Sequence, residues 1–254
     1  MDRRTFLAKS AGLLFGGIFA THIPAAAEIF MPPKAADPRI ALIIDDIGFN
    51  LTRAEQFLTA GIPITFSILP RLCCSEASAR ALHDSGHEIM LHQPMEPFST
   101  RVDPGPGAIF VDDRPEQVRD VVAENIATLP HIVGVNNHMG SRYTQLPRKM
   151  DQALDAVRAN DLFFVDSLTT GHSTAFARAR QMGVDTIRRD LFLDTQRNEK
   201  AVFGQMKRLG KIASKYGRAI GIGHPRPETL AGIQRFLETP ESENVRFTYI
   251  SQLL

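Results

Sequence analysis

Three histidines and a pair of adjacent aspartates stand where apolar runs end: Asp45 and Asp46 after residues 40–44, His92 after 88–91, His138 after 132–135 and His224 after 219–222. Imidazole nitrogen and carboxylate oxygen are donors that zinc takes, and a catalytic zinc uses three protein ligands while keeping a position for water. Asp46, His92 and His138 can supply one oxygen and two nitrogens. Glu96 is a rival third ligand, because Pro94 can open a helical turn that brings it to His92, with Pro97 ending that turn. Adjacent strand residues point to opposite faces, so Asp45 and Asp46 need not share a job. One can face a cation and the other a water or substrate. The structural alternative is that the pair caps the next loop or helix, as Asp46 or Asn50 can do at a helix start. A single histidine in such a place is usually structural; three beside Asp-Asp point to a metal.

The elements that must position these groups repeat along the chain. Short apolar runs fall at 40–44, 64–68, 88–91, 132–135, 162–165, 184–187, 219–222 and 245–250. Between most of them lie stretches with apolar residues three or four apart, among them 52–60, 116–129 and 198–216. This alternation predicts parallel strands with helical crossovers. The expected fold is a distorted (β/α) barrel of seven to eight strand-helix units, a single domain over 40–254. No glycine-rich dinucleotide fingerprint follows the first run, which counts against an open nucleotide-binding sheet. In β/α barrels function gathers at the C-terminal strand ends. That rim also holds Asn136, Asn137 and Met139 after the fourth strand, Asp166 after the fifth, and Arg188 and Asp190 after the sixth. Asn136, Asn137, Met139, Arg188 and Asp190 are the candidates for substrate contact. His83, His87 and His131 precede strands and belong at the other end. The connection 93–114 is too long and too rich in Pro and Gly for an ordinary loop, and is expected to be functional.

The N-terminus reads separately from the fold. Arg3 and Arg4 precede Phe6-Leu7 and Lys9, then an uncharged stretch and Ala25-Ala26-Ala27. Residues 1–27 resemble a twin-arginine export signal with a small-residue cleavage site, which implies an exported, periplasmic protein. The alternative is an uncleaved membrane anchor, weakened by Gly12, Gly16, Gly17 and Pro24, since a span wants about 20 strongly apolar residues. Removing 1–27 takes away three positive charges and one negative from the net charge of +1. The mature form is therefore close to neutral, without a membrane span. Residues 28–39, with Pro32, Pro33 and Pro38, read as a linker. A chain so balanced lacks the basic footprint of a nucleic-acid binder. Cys73 and Cys74 are adjacent, too close for ordinary disulfide geometry, and are expected to be buried thiols.

The stretches LIIDDIGFN, IPITFSILP, HEIMLHQPMEP, GPGAI, VGVNNHMGSRYT, FFVDS, RDLFLD and IGIGHP occur in order from Leu42 to Pro225. Together they resemble the polysaccharide deacetylase superfamily, and within it the divergent branch of exported bacterial proteins. The resemblance implies a distorted β/α barrel holding a divalent metal, most often zinc. It implies that Asp45 is the general base, Asp46 and His92 metal ligands, and His224 the general acid supported by Asp166. The usual second histidine of His-x-x-x-His is replaced here by Glu96, and His138 is the natural substitute. The superfamily often lines its acetate pocket with Trp, which this chain lacks; Phe49, Met139 or Leu168 would form that wall. The implied activity is metal-dependent removal of acetyl groups from an envelope polysaccharide or peptidoglycan-type glycan. A metal-containing glycan-binding protein without turnover, or a hydrolase of another amide or ester, would draw on the same residues.

Overall fold

The apolar run from Ile40 forms β1 (Arg39–Ile47), and Ile40 through Ile44 are fully buried. A strand buried on both faces belongs in the middle of a parallel sheet. β1 pairs with β8 (Arg218–Gly223) on one edge. Its other edge is shared between β2 (Thr65–Ile68), along the C-terminal half, and β9 (Arg246–Thr248), along the N-terminal half. The structure, a computed structural model, describes residues 37–254. The expected export signal and most of the linker lie outside the described residues, and β1 opens at Arg39, the last residue assigned to the linker.

The remaining strands are β3 (Glu88–Met95), β4 (Ile132–Met139), β5 (Phe163–Asp166), β6 (Thr186–Arg188) and β7 (Leu191–Phe192). Eight strands run in the order β6-β5-β4-β3-β2-β1-β8-β7, every pair parallel. The sheet curls into a half-barrel whose edge strands β6 and β7 are consecutive in the chain. Only Arg189 and Asp190 separate them. The Arg189 N–H donates to Asp166 O on the β5 side, and the Asp190 N–H donates to Ile220 O of β8. Two residues thus carry the chain across the gap of an otherwise open barrel. The short β7 has no run of its own in the hydrophobic pattern, and no helix precedes it.

Eight helices among the described residues fill the crossovers and the C-terminal region. They are α1 (Leu51–Gln56), α2 (Ser75–Asp84), α3 (Pro115–Ala127), α4 (Pro147–Ala159), α5 (Ala175–Gln181), α6 (Glu199–Tyr216), α7 (Pro227–Leu237) and α8 (Pro240–Glu243). Asn50 and Asn198 cap α1 and α6 through their side chains, satisfying first-turn N–H groups. α3, α4, α7 and α8 each open on proline, whose missing N–H costs nothing there.

The strand parity decides where chemistry can sit. In β1, Ile40, Leu42 and Ile44 pack outward with helix residues such as Val118, Leu154 and Leu209. Ala41 and Ile43 face inward, in a smaller cluster with Met90, Val165, Ile187, Ile220 and Ile222. Ile250 and Leu253 of the C-terminal 3-10 turn complete this inner cluster, and the turn takes hydrogen bonds from Arg39 and Arg218 at the strand starts. The N-terminal mouth is therefore plugged by apolar side chains, and the inner face becomes polar toward the C-terminal ends. None of the helices among the described residues is long and apolar enough to cross a membrane.

Candidate metal centre

Counting by twos along the inner face leads from Ile43 to Asp45, from Met90 to His92 and from Ile222 to His224. In β4 the outward Val135 puts Asn136 and His138 inside. These side chains lie within the strands or immediately at their ends, because β1, β3 and β4 run on past their apolar runs to Ile47, Met95 and Met139. Asp46 has the wrong parity and reaches the site by another route. Its φ is +59°, and the β1–β2 register slips between Ile44 and Ile47. Left-handed backbone at a non-glycine residue costs on the order of 1 kcal/mol and persists where the surroundings enforce it. Met139 and Leu168, at the neighbouring strand ends, share this conformation.

Asp46 Oδ1, His138 Nδ1 and His92 Nε2 form a triangle with sides of 3.0, 3.1 and 3.3 Å. Ligand atoms on a tetrahedral zinc with bonds of ~2.0–2.1 Å lie ~3.3 Å apart. His92 is oriented by its other nitrogen, since Nδ1 lies 2.7 Å from Asn136 Oδ1, which also accepts from Ser67 Oγ at 2.5 Å. With Nδ1 donating, Nε2 turns a lone pair to the triangle, an arrangement common to metal-bound histidines. Asp46 Oδ1 is buried and has no aligned hydrogen-bond donor although two nitrogens lie so near. Three donor atoms converging at these distances are spaced as the ligands of one cation. Asp46, His92 and His138 therefore fit a divalent metal ion. Burial works to raise the Asp46 pKa, but the imidazoles of His138 and His92 hold it well below the usual carboxylate range.

Asp45 is almost fully buried, with Oδ1 accepting from Asn136 Nδ2 at 2.8 Å and Oδ2 3.6 Å from His92 Nε2. Burial pushes its carboxyl up despite His92 and His224 nearby, which suits a carboxylate that takes a proton. On the other side of Asp46, His224 Nε2 lies 3.8 Å from Asp46 Oδ2. Its Nδ1 lies 2.9 Å from Asp194 Oδ1, while Asp194 Oδ2 accepts from the His224 N–H and from Thr229 Oγ1. Burial works against a charged His224, but the Asp194 hydrogen bond together with the charges of Asp194, Asp46 and Asp45 outweighs it, so the ring holds its proton above the ordinary histidine range.

Several residues expected at the site stand elsewhere. Asp166, expected to support His224, accepts instead from the Leu168 N–H, Ser173 Oγ and the Phe176 N–H, tying the loop after β5 to the start of α5. The reason is parity: Val165 faces in, so Asp166 faces out with Phe164. Asp194 takes the place at His224. Periodicity does not reveal it because β7 has only two residues, although it closes the stretch RDLFLD. Glu96 is not brought to His92, since β3 stays extended through Pro94 and no helical turn forms. Its carboxylate accepts from the Val111 N–H and Arg142, pinning the long connection. Asn136 and Asn137 are fully buried with their amides engaged: Asn136 orients His92 and Asp45, and Asn137 joins Met139 O to the Ser167 N–H. Arg188 faces outward over the Phe176 ring, and Asp190 accepts from the Ile220 N–H. The neighbour Arg189 is the inward one, donating to Ser167 O and Leu168 O with its guanidinium 3.8 Å from the Phe192 ring centre. Cys73 is exposed and Cys74 half-buried, both free, because they lie in the turn leading to α2 rather than in the core.

The long connection is ordered against the rim. Met95 bridges Ile109, and Gly107 O accepts from Gln93 Nε2 and Asn125 Nδ2. Gly107 has φ +74°, and a Cβ there would lie 2.4 Å from Asn125 Oδ1, so the position requires glycine. The connection supplies Asp103, Pro104 and Pro106 to a cavity of 270 Å³ that also touches Asp46, Phe49, His138 and Met139. Leu168 is absent from that wall.

A family model for divergent polysaccharide deacetylases matches residues 42–254. The chain belongs to that family. The uncharacterized protein YibQ of Escherichia coli K12 is 31% identical over 212 residues, covering 84% of this chain and 66% of that protein. This chain thus spans about two thirds of that family member's length. The crystal structure of an uncharacterized protein from Agrobacterium tumefaciens C58 has a TM-score of 0.81 at 22% identity, over 87% of this chain and 90% of that one. A mutant CE4 family pseudoenzyme of Bacillus anthracis with restored enzymatic activity shares the fold at a TM-score of 0.52 and 13% identity, over 87% and 70% of the chains. The two solved structures share this chain's fold.

Proposed function

We propose that this protein is a metal-dependent hydrolase that removes acetyl groups from an envelope polysaccharide or peptidoglycan-type glycan, with zinc as its cation. The observation that carries the reading is the triangle of Asp46, His92 and His138 donor atoms, with Asp45 on one side and the His224–Asp194 pair on the other. Zinc held by the three supplies Lewis acidity, acidifying water and polarising the acyl carbonyl. Asp45 accepts a proton from the water that attacks the acyl carbon, its Oδ1 held by Asn136. His224 gives its proton to the leaving nitrogen or oxygen as the bond from that atom to the acyl carbon breaks. One C–O bond forms, one C–N or C–O bond breaks, and the products are acetate and the deacetylated sugar. Phe49 and Met139 wall the acyl group. Metal analysis of the purified protein, with acetate release measured on peptidoglycan fragments and chitooligosaccharides, tests the reading. Asp46→Ala should lose bound zinc and activity together; the same variant at full zinc occupancy defeats it.

A second reading has a specific observation behind it. Glu96 breaks the His-x-x-x-His pair, and one protein of this fold is a pseudoenzyme. A metal-containing glycan-binding protein without turnover predicts saccharide binding that survives His224→Ala and no acetate released with any divalent metal. For export we propose the twin-arginine route followed by cleavage. Lys at both Arg3 and Arg4 should hold the protein in the cytoplasmic fraction, and normal periplasmic recovery would defeat that route.

A further inference from the structure

Asp46 and Phe49 wall two cavities of contrasting character. The first, of 270 Å³, is lined by Leu69, Leu72, prolines and Met139, and its charged side chains besides His138 are Asp46 and Asp103. The second, of 330 Å³, carries His224, Arg53 and Arg226. It continues through His224 and Arg226 into a third of 250 Å³, which adds Arg197 and Phe192. Three guanidinium groups therefore flank the proton donor, and none of the three lines the apolar cavity.

Their counter-charges are already engaged. Asp194 is held by His224 and Thr229 and is ion-paired with Arg226, which also donates to its carbonyl, and Asp46 belongs to the triangle. Arg53 and Arg197 form no ion pair among the described residues. The protein as a whole is nearly neutral at +1, so this is a local excess and not the face of a basic protein. Guanidinium groups recognise carboxylate and phosphate through paired hydrogen bonds, which a neutral sugar hydroxyl does not match.

We infer that the sugar on the His224 side of the site carries an anionic substituent, a carboxylate or a phosphate, that Arg53 and Arg197 receive. This rests on the hydrolase reading, in which the neutral acyl group takes the apolar side and the leaving sugar lies beside the proton donor. The substrate class is then an acetylated acidic glycan rather than a neutral homopolymer.

Calorimetric binding to the zinc-loaded protein tests this with paired probes. One pair is an uncrosslinked peptidoglycan tetrasaccharide with free lactyl carboxylates and its carboxyl-reduced form. The other is N-acetylglucosamine 6-phosphate and N-acetylglucosamine. The anionic member of at least one pair should bind about tenfold more tightly, and the pair that responds identifies the anion. Arg53→Gln with Arg197→Gln should abolish the preference while zinc content and affinity for neutral chitotetraose stay unchanged. Equal affinity within both pairs, or a preference that survives the double variant, overturns the inference. Acetate release measured alongside separates it from the reading beneath it. Release without preference removes the anionic wall and leaves the hydrolase; preference without release from any probe removes the hydrolase and leaves anion binding.

Discussion

At the β1–β3–β4 end of the site, donor atoms of two histidines and an aspartate converge on one point, and His92 is oriented by Asn136, whose amide oxygen accepts from its Nδ1. At the β7–β8 end, a histidine and an aspartate face each other with a proton between them, and the buried Asp194 carboxylate supports the charge on His224. The side chains are the same; the partner on the far nitrogen differs. The amide oxygen fixes the ring with Nε2 toward Asp46 and His138, the arrangement a metal donor needs; burial works against a charged His92, and Asp45 and Asp46 together hold its pKa above the ordinary histidine range. A carboxylate favours the imidazolium, leaving the ring a proton donor. In the proposed reading, this difference in partner accompanies the difference between a ligand and an acid.

Removing a donor at the first end should have the largest effect. His138→Ala leaves two protein ligands, and kcat/KM for acetate release should fall at least about a thousandfold, with zinc lost on dialysis. Retained stoichiometric zinc would mean that another group completes the set. At the second end, Asp194→Asn should lower kcat by about 10²–10³-fold and leave zinc content unchanged. The direction of its pH effect comes from the pair. Asp194 raises the His224 pKa, so losing the carboxylate lowers it, and the alkaline limb of kcat/KM must move to lower pH. An unmoved limb in Asp194→Asn would show that His224 is not the acid.

The contrast is only half legible in the sequence. Asp45, Asp46, His92, His138 and His224 stand out because each ends an apolar run, and the strand-helix alternation says which end they share. The partners do not stand out. Both faces of these strands are apolar, Phe164 outward and Val165 inward, so nothing in the pattern tells whether Asp166 looks into the barrel or out to α5. The same ambiguity favours Arg188 over Arg189. Asp194 hides behind a two-residue strand, below the length at which periodicity is readable. The left-handed turn at Asp46, which brings both aspartates to one site, leaves no mark in residue type, since glycine is absent there.

A smaller effect is expected one step back from the metal donors. Asn136→Ala removes the acceptor that holds His92 Nδ1 and the donor on Asp45, so zinc affinity should weaken by about 10–100-fold. At saturating zinc part of the activity should return, which a lost ligand would not allow. If zinc affinity is unchanged, His92 is oriented by packing alone.

The smallest change is the most discriminating, because it exchanges the two aspartates that sequence and geometry assign differently. Asp166 Oδ2 accepts from Ser173 Oγ and the Phe176 N–H. In Asp166→Asn an amide NH₂ faces these donors; the serine hydroxyl can rotate to accept, but the backbone N–H cannot. Losing that bond should cost about 1–3 kcal/mol, which for a chain of this size lowers Tm by roughly 2–4 °C per kcal/mol. Because the residue faces away from His224, the alkaline limb should stay where it is and kcat should change by no more than about twofold. The outcome to look for is therefore a pair of curves. Asp194→Asn moves the pH profile, whereas Asp166→Asn moves the melting curve. If Asp166→Asn moved the pH profile as well, the outward parity of β5 would not isolate it from the acid, and the division between the two ends of the site would fail.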